Sequence, residues 1–179
     1  MGGKIWVESD TGVGSSFHFT FKTEPGQESV IKTEGSFSKL SDDISNEKLG
    51  DLYPLRILAA EDNKVNQKVI HRILQKFGYE VDIAENGIEA VEQANKGIYD
   101  LVFMDMQMPK MDGLEATRKI IQMMGDDAPI IVAMTANAME KDRIACLEAG
   151  MKGYISKPIK PKIIEKELIR WGTEKMSHV

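Results

Sequence analysis

The second half of this 179-residue chain predicts a doubly wound α/β domain built on a parallel sheet, with a β-hairpin and a polar linker before it. Three observations carry the prediction. From Leu55 to Trp171, short apolar runs alternate with helical patterns five times, and strands separated by helices pair in parallel through right-handed crossovers, with helices on both faces. The central runs are continuously apolar, as strands covered on both faces must be. Polar residues follow, or nearly follow, four of the runs: Glu61 and Asp62, Asp105, Thr135 and Lys157.

Residues 1–22 read as a hairpin. Lys4–Ser9 alternates around Ile5 and Val7, and Ser16–Lys22 alternates Phe17, Phe19 and Phe21. Asp10–Ser15 between them carries Thr-Gly-Val-Gly, a turn composition. A lone two-stranded hairpin is marginal in water, so this piece is expected to be the remnant of a larger sheet. His18, on the face opposite Phe17 and Phe19, reads as an ordinary exposed strand residue. Residues 23–53 are rich in Ser, Glu, Asp, Lys and Gly, with isolated apolar residues and no sustained period. Such a segment buries too little surface to offset its ordering entropy and is expected to be a flexible linker. Pro54 then punctuates the chain.

Residues 54–172 form the α/β unit. Its strands are expected at Ile57–Ala60, Val81–Ala84, Leu101–Met104, Ile130–Met134 and Tyr154–Ile155. Val65, Val69, Ile73 and Phe77 recur at the spacing of one helix face; so do Leu114, Thr117 and Ile121, then Ile144 with Leu147, and Ile164 with Leu168 and Trp171. Trp171 and the Ile163–Ile169 stretch fit a core face and a dimer face equally. Gly78 and Gly150 sit just past helix ends, where a left-handed cap needs no Cβ. Residues 173–179 are expected to be a disordered tail.

Composition narrows the function. Hydrophobic content of 42% and charged content of 28% are those of a globular protein. A net charge of -5 argues against nucleic acid as a direct partner, because a phosphate backbone demands a basic face. No apolar run reaches membrane-spanning length, and Met-Gly-Gly-Lys does not open a signal peptide, so no direct membrane contact is expected and the setting reads as cytoplasmic. The single cysteine, Cys146, has no intramolecular partner and reads as a small buried apolar residue in a reducing compartment.

The chemistry lies where the strands end. A parallel sheet delivers strand-terminal residues to its carboxyl edge, where open α/β folds carry their sites. Two adjacent acids such as Glu61-Asp62 are usually surface residues, and an Asp before Pro109 is usually a turn or cap. Here three acids are predicted at one edge. Crowded carboxylates raise one another's pKa, and a hard cation such as Mg2+ resolves the conflict with oxygen ligands. Lys157 adds a compact positive charge and Thr135 a hydroxyl. Together they suit a phosphoryl group, with an Asp105 oxygen attacking phosphorus to give an acyl phosphate.

Four separated motifs then resemble a known family: Glu61-Asp62-Asn63, Met104-Asp105-Met106-Gln107-Met108-Pro109-Lys110-Met111-Asp112-Gly113, Thr135-Ala136-Asn137 and Lys157-Pro158. Their order and spacing are similar to the receiver domain of two-component response regulators. More narrowly, the Glu-Asp-Asn-Xaa-Val-Asn-Gln opening and the Met-Asp-Met core resemble the C-terminal receiver of hybrid sensor histidine kinases. The resemblance implies a flavodoxin-like (βα)5 fold with strand order 2-1-3-4-5. It implies Asp105 as phosphoacceptor, with Asp62 and Asp105 binding Mg2+ directly, Glu61 through water and Gln107 through its backbone carbonyl. It further implies a phosphoryl contact at Lys157, a cis bond at Pro158, a switch formed by Thr135 and Tyr154, and phosphoryl-lifetime tuning at Gln107 and Asn137. The implied partners are a histidine kinase's phosphohistidine domain and a histidine phosphotransfer protein docked near Val65 and Val69. Gly2–Ser9 and Gly12–Phe17 resemble the last hairpin of a kinase ATP-binding domain, which implies a fragment unable to bind ATP. His71 is expected to be a surface helix residue.

A haloacid-dehalogenase-like phosphatase would use similar groups, but it resembles Asp-Xaa-Asp, and Gln107 stands where its proton-shuttling Asp would be. A binding-only pseudo-receiver typically lacks an acid or the lysine, and none is missing here. The expected role is therefore that of a phosphorelay receiver, and the expectation for this chain is no enzyme activity beyond slow loss of its own phosphoryl group.

Overall fold

The computed structural model describes residues 3–10, 14–20, 48–136 and 140–177, so the expectations for residues 11–13, 21–47 and 178–179 and for Asn137 lie outside the described residues. The chain divides into two units, Met1–Ser45 and Asn46–Val179.

In the first unit, β1 (Ile5–Asp10) and β2 (Gly14–Phe19) pair antiparallel, with Ile5 opposite Phe19 and Trp6 opposite His18. The Thr20 N–H donates to the Lys4 carbonyl at 2.8 Å and the Lys4 N–H to Thr20 Oγ1 at 3.1 Å, which closes the open end. The Trp6 and His18 rings stack with centroids 5.1 Å apart, a cross-strand pair of the kind that stabilises hairpins. His18 is thus half-buried under an aromatic ring, not simply exposed as expected.

The second unit begins earlier than predicted. Leu49–Leu52, inside the segment read as linker, forms a short helix, α1. Tyr79 explains its order: its hydroxyl lies 2.8 Å from the Tyr53 carbonyl and 3.2 Å from the Leu49 carbonyl. The Gly50 N–H also donates to Phe77 O at 2.9 Å. A four-residue helix has no detectable period, and a tyrosine thirty residues downstream holds it.

Five parallel strands follow: β3 (Ile57–Ala60), β4 (Val81–Ala84), β5 (Leu101–Asp105), β6 (Ile130–Thr135) and β7 (Gly153–Ser156). Their order is β4-β3-β5-β6-β7, the expected 2-1-3-4-5 arrangement. Between and after them run α2 (Lys64–Lys76), α3 (Gly87–Ala94), α4 (Gly113–Met124), α5 (Glu140–Glu148) and α6 (Pro161–Ser177). Successive strand side chains alternate between two cores. Ile57, Ala59, Leu101 and Phe103 pack with α2 and α6, whereas Leu58, Ala60, Val102 and Met104 pack with α3, α4 and α5. Every residue of β3 and β5 is buried, while the edge strands β4 and β7 are only partly so.

Capping fixes where the helices start and stop. The Asn63 side chain accepts from the N–H groups of Val65 and Asn66, a cap worth about 1 kcal/mol. At the other end of α2, Gly78 has φ 90°. Its N–H donates to Gln75 O and that of Tyr79 to Leu74 O, the paired bonds of a Schellman stop. Gly150 ends α5 in the same way: its N–H donates to Leu147 O and that of Met151 to Cys146 O.

Two helix faces differ from the periodic reading. Val65 and Val69 are 68% and 39% exposed, while Ile73 of the same predicted face is buried together with Gln67, Ile70 and Leu74, and Phe77 packs against that core. Ile144 and Leu147 are likewise exposed, with Cys146 and Ala149 turned to the core. Trp171 is core, as are Ile164 and Leu168. The predicted tail is corrected too: α6 continues through Ser177, because Lys175 donates to Pro54 O at 3.2 Å and pairs with Asp100 at 2.9 Å.

Candidate functional site

The carboxyl ends of β3, β5, β6 and β7 bring the predicted residues together. Glu61, Asp62, Asp105, Gln107, Thr135 and Lys157 all line one open cavity of about 900 Å³. An open groove of about 890 Å³ lies at the amino ends of the strands, so size does not single out the site. Chemistry does. Among the described residues, the acids able to share a metal ion are Glu61, Asp62 and Asp105, whose ligand oxygens lie within 4.8 Å of one another.

Asp105 ends β5 behind four buried apolar residues, and its own side chain is 7% exposed. The loop after it folds back tightly. The Gln107 N–H donates to Asp105 Oδ1 at 3.2 Å, and the Met106 N–H to the Met134 carbonyl at 3.1 Å. Lys110 then takes φ 67°, rare for a residue with a Cβ. Gly113, the first residue of α4, approaches so closely that a Cβ would lie 2.1 Å from the Asp105 carbonyl oxygen. The glycine of Met-Asp-Gly lets α4 begin against the back of the strand that Asp105 ends.

Lys157 follows β7, and the bond to Pro158 is cis, as expected. Its Nζ lies 2.6 Å from Asp105 Oδ2 and 2.7 Å from Glu61 Oε2. Burial pushes the Asp105 carboxyl above its usual range and the nearby Glu61 charge adds to this, against the lowering effect of the Lys157 hydrogen bond. Burial would lower Lys157, but its bonds to Asp105 and Glu61 outweigh it, and its pKa is raised. The lysine is thus held as a cation between two acids.

Glu61 is completely buried, whereas Asp62 is exposed to the cavity. Both Glu61 carboxylate oxygens already accept hydrogen bonds: Oε2 from Lys157, and Oε1 from the Asn66 side-chain amide at 2.9 Å and the Asn63 N–H at 3.3 Å. Such a carboxylate suits indirect contact with a cation. Asp62 and Asp105, hard oxygen donors at an open cavity, suit direct contact. Thr135 is buried, and its carbonyl accepts from the Lys157 N–H at 2.7 Å. Tyr154 pairs with Ala133 one strand over and is 44% exposed. Cys146 is buried with its thiol pushed up by burial, so it is inert. His71 is exposed on α2. The sequence motif contained Asn66 and Gln67 but gave them no task; the Gln67 amide donates to the Glu61 carbonyl at 2.6 Å.

Comparison with known proteins agrees with this geometry. The response regulator receiver domain model matches residues 57–169, and the chain belongs to that family. It is 44% identical over 132 residues to hybrid signal transduction histidine kinase H of Dictyostelium discoideum, covering 72% of this chain and 10% of that protein. It is 38% identical over 160 residues to the aerobic respiration control sensor protein ArcB of Escherichia coli, covering 89% of this chain and 19% of that protein. The chain therefore spans less than a fifth of either kinase. Among solved structures, the receiver domain of sensor histidine kinase PA1611 from Pseudomonas aeruginosa, with magnesium coordinated in its active-site cleft, matches with 42% identity and a TM-score of 0.62, over 66% of this chain and 98% of that one. The receiver of the Saccharomyces cerevisiae response regulator Ssk1, co-crystallised with the histidine phosphotransfer protein Ypd1, matches with 30% identity and a TM-score of 0.65, over 68% of this chain and 90% of that one. No helix among the described residues is long and apolar enough to cross a membrane.

Proposed function

We propose that this chain is a phosphorelay receiver in which Asp105 accepts a phosphoryl group from a phosphohistidine. The observation that carries the reading is the shared contact of Lys157 with Asp105 and Glu61 beside the exposed carboxylate of Asp62. An Asp105 oxygen supplies the electron pair for the new O–P bond. The P–N bond to the histidine breaks and its electron pair returns to the ring nitrogen; with the other ring nitrogen of the donor already protonated, a neutral imidazole leaves. Lys157, already within hydrogen-bond distance of Asp105, is positioned to pair with an equatorial phosphoryl oxygen. Thr135 offers its hydroxyl to another, and Tyr154 acts with it as the switch. Asp62, Asp105 and the Gln107 carbonyl would hold Mg2+, with Glu61 behind them. When bound, that ion offsets the charge on the transferring oxygens.

Gln107 bears on the fate of the phosphoryl group after transfer. An amide does not shuttle protons near neutral pH, so the pocket holds its phosphoryl group and is not a turnover enzyme. Gln107 and Asn137 are the proposed determinants of its lifetime. The exposed Val65 and Val69, on the helix that starts beside Asp62, are the proposed docking face for a histidine phosphotransfer protein and for the phosphohistidine donor. We further read residues 1–22 as part of a kinase ATP-binding domain's sheet, which the exposure of Ile5, Trp6 and Val7 supports. On this reading 23–47 is the linker, and the receiver setting is cytoplasmic.

The test is incubation with Mg2+ and acetyl phosphate, followed by intact mass. One phosphoryl group should add to the wild type and none to Asp105→Asn. Repeated turnover of a phosphomonoester would instead support a phosphatase, and absence of any adduct a binding-only domain.

A further inference from the structure

We infer that Asn66 is a positioning residue for this pocket: its side-chain amide fixes the Glu61 carboxylate and, through it, Lys157. The inference rests on the receiver reading and assigns a task to a residue outside the expected phosphoacceptor, metal and switch set.

Glu61 has no exposed surface, so its orientation is decided by its donors. Oε2 belongs to Lys157, at 2.7 Å. On the other side, Asn66 Nδ2 donates to Oε1 at 2.9 Å and the Asn63 N–H at the longer distance of 3.3 Å. Without the Asn66 amide, Oε1 keeps only the longer bond. The terminal torsion of a glutamate is broad and roughly two-fold, so a carboxylate with one oxygen weakly held turns more easily. Turning Glu61 moves one of the two acceptors of Lys157 Nζ, the other being Asp105 Oδ2, and so reaches the proposed phosphoacceptor.

The residue type fits the task. An amide donates without charge. A lysine or arginine at position 66 would donate too, but it would bring a second cation into a cavity meant for a metal. An aspartate could not donate at all. Asn66 is half-buried and lines the cavity, so its amide works where water would otherwise compete. Its backbone N–H is held by the Asn63 cap, a bond that survives substitution of the side chain.

The experiment is titration of the full chain with Mg2+ by calorimetry. Asn66→Ala should weaken the Kd by about ten-fold, the usual effect of losing a ligand's supporting hydrogen bond. Asn66→Gln, which keeps an amide, should recover most of that loss, whereas Asn66→Leu should not. These two also serve as the comparison if Asn66→Ala does not fold. In a Glu61→Gln background, Asn66→Ala should have no further effect, because the residues act through one contact. Wild-type affinity in Asn66→Leu, or the same ten-fold loss in both backgrounds, overturns the inference while leaving the receiver reading intact. A wild type that neither binds Mg2+ nor gains a phosphoryl group overturns both.

Discussion

The Lys157 ammonium nitrogen lies 2.6 Å from Asp105 Oδ2, so the proposed nucleophile is paired with a cation before any substrate arrives. The same nitrogen serves the buried Glu61. Removing it leaves two enclosed acids facing one another. Lys157→Met should therefore cost about 3 kcal/mol in urea unfolding without metal, the scale of breaking a buried pair. Added Mg2+ should return part of the loss, and a variant as stable as wild type in the absence of Mg2+ would contradict the shared-cation arrangement.

Mg2+ binding should itself raise stability. Saturation at about one hundred times the Kd corresponds to about 2.7 kcal/mol, provided the unfolded chain does not bind. Asp62→Asn should lose most of this gain while unfolding normally without metal, because its side chain is exposed and holds no part of the core. Thermal melts across a Mg2+ series read both effects.

Gly113→Ala should damage the site from behind. The new Cβ would sit 2.1 Å from the Asp105 carbonyl oxygen, and overpacking of this kind costs about 1–3 kcal/mol. Phosphorylation by acetyl phosphate should slow together with the loss of stability. Gly97→Ala is the control: it meets nothing within 4 Å but has φ 68°. It should cost about 1 kcal/mol and leave phosphorylation unchanged.

Burial pushes the Tyr79 phenol up to about 12, with Tyr53 adding to it, whereas an unfolded tyrosine titrates near pH ~10. Between those values the unfolded state binds fewer protons than the folded one. The Tyr79 contribution is whole below about pH 10 and fades as pH rises toward 12. Tyr79→Phe should remove that part of the alkaline decline and the matching late phenolate absorbance. It should also loosen α1, whose carbonyls the hydroxyl holds.

Much of this fold is legible in the sequence because burial on both faces leaves a plain mark. Leu101–Asp105 reads as a strand ending in an acid, and it folds as one. The four motifs point to one edge because a parallel sheet collects its strand ends there. The features that escape are those decided at long range. Nothing local in Leu49–Leu52 foretells a helix; Tyr79 makes it one. Nothing in residues 173–177 announces order; Asp100 and Pro54 supply it. Val65 and Val69 have core character by type, yet the sheet takes Ile70 and Leu74 instead. Asn66 stands within a legible motif, but its bond to Glu61 exists only once α2 has turned back over β3.

The three carboxylates and one ammonium at the sheet edge also set an electroneutrality condition. Their formal charges sum to two negatives, the quantity one divalent cation cancels. A monovalent ion would leave this cluster anionic. A trivalent one would leave it cationic. Phosphorylation then adds negative charge to a balanced site, and Lys157 and the Thr135 hydroxyl are the groups beside it that can answer. The cluster is thus matched in formal charge to one divalent cation before transfer, and on the proposed reading transfer would unbalance it.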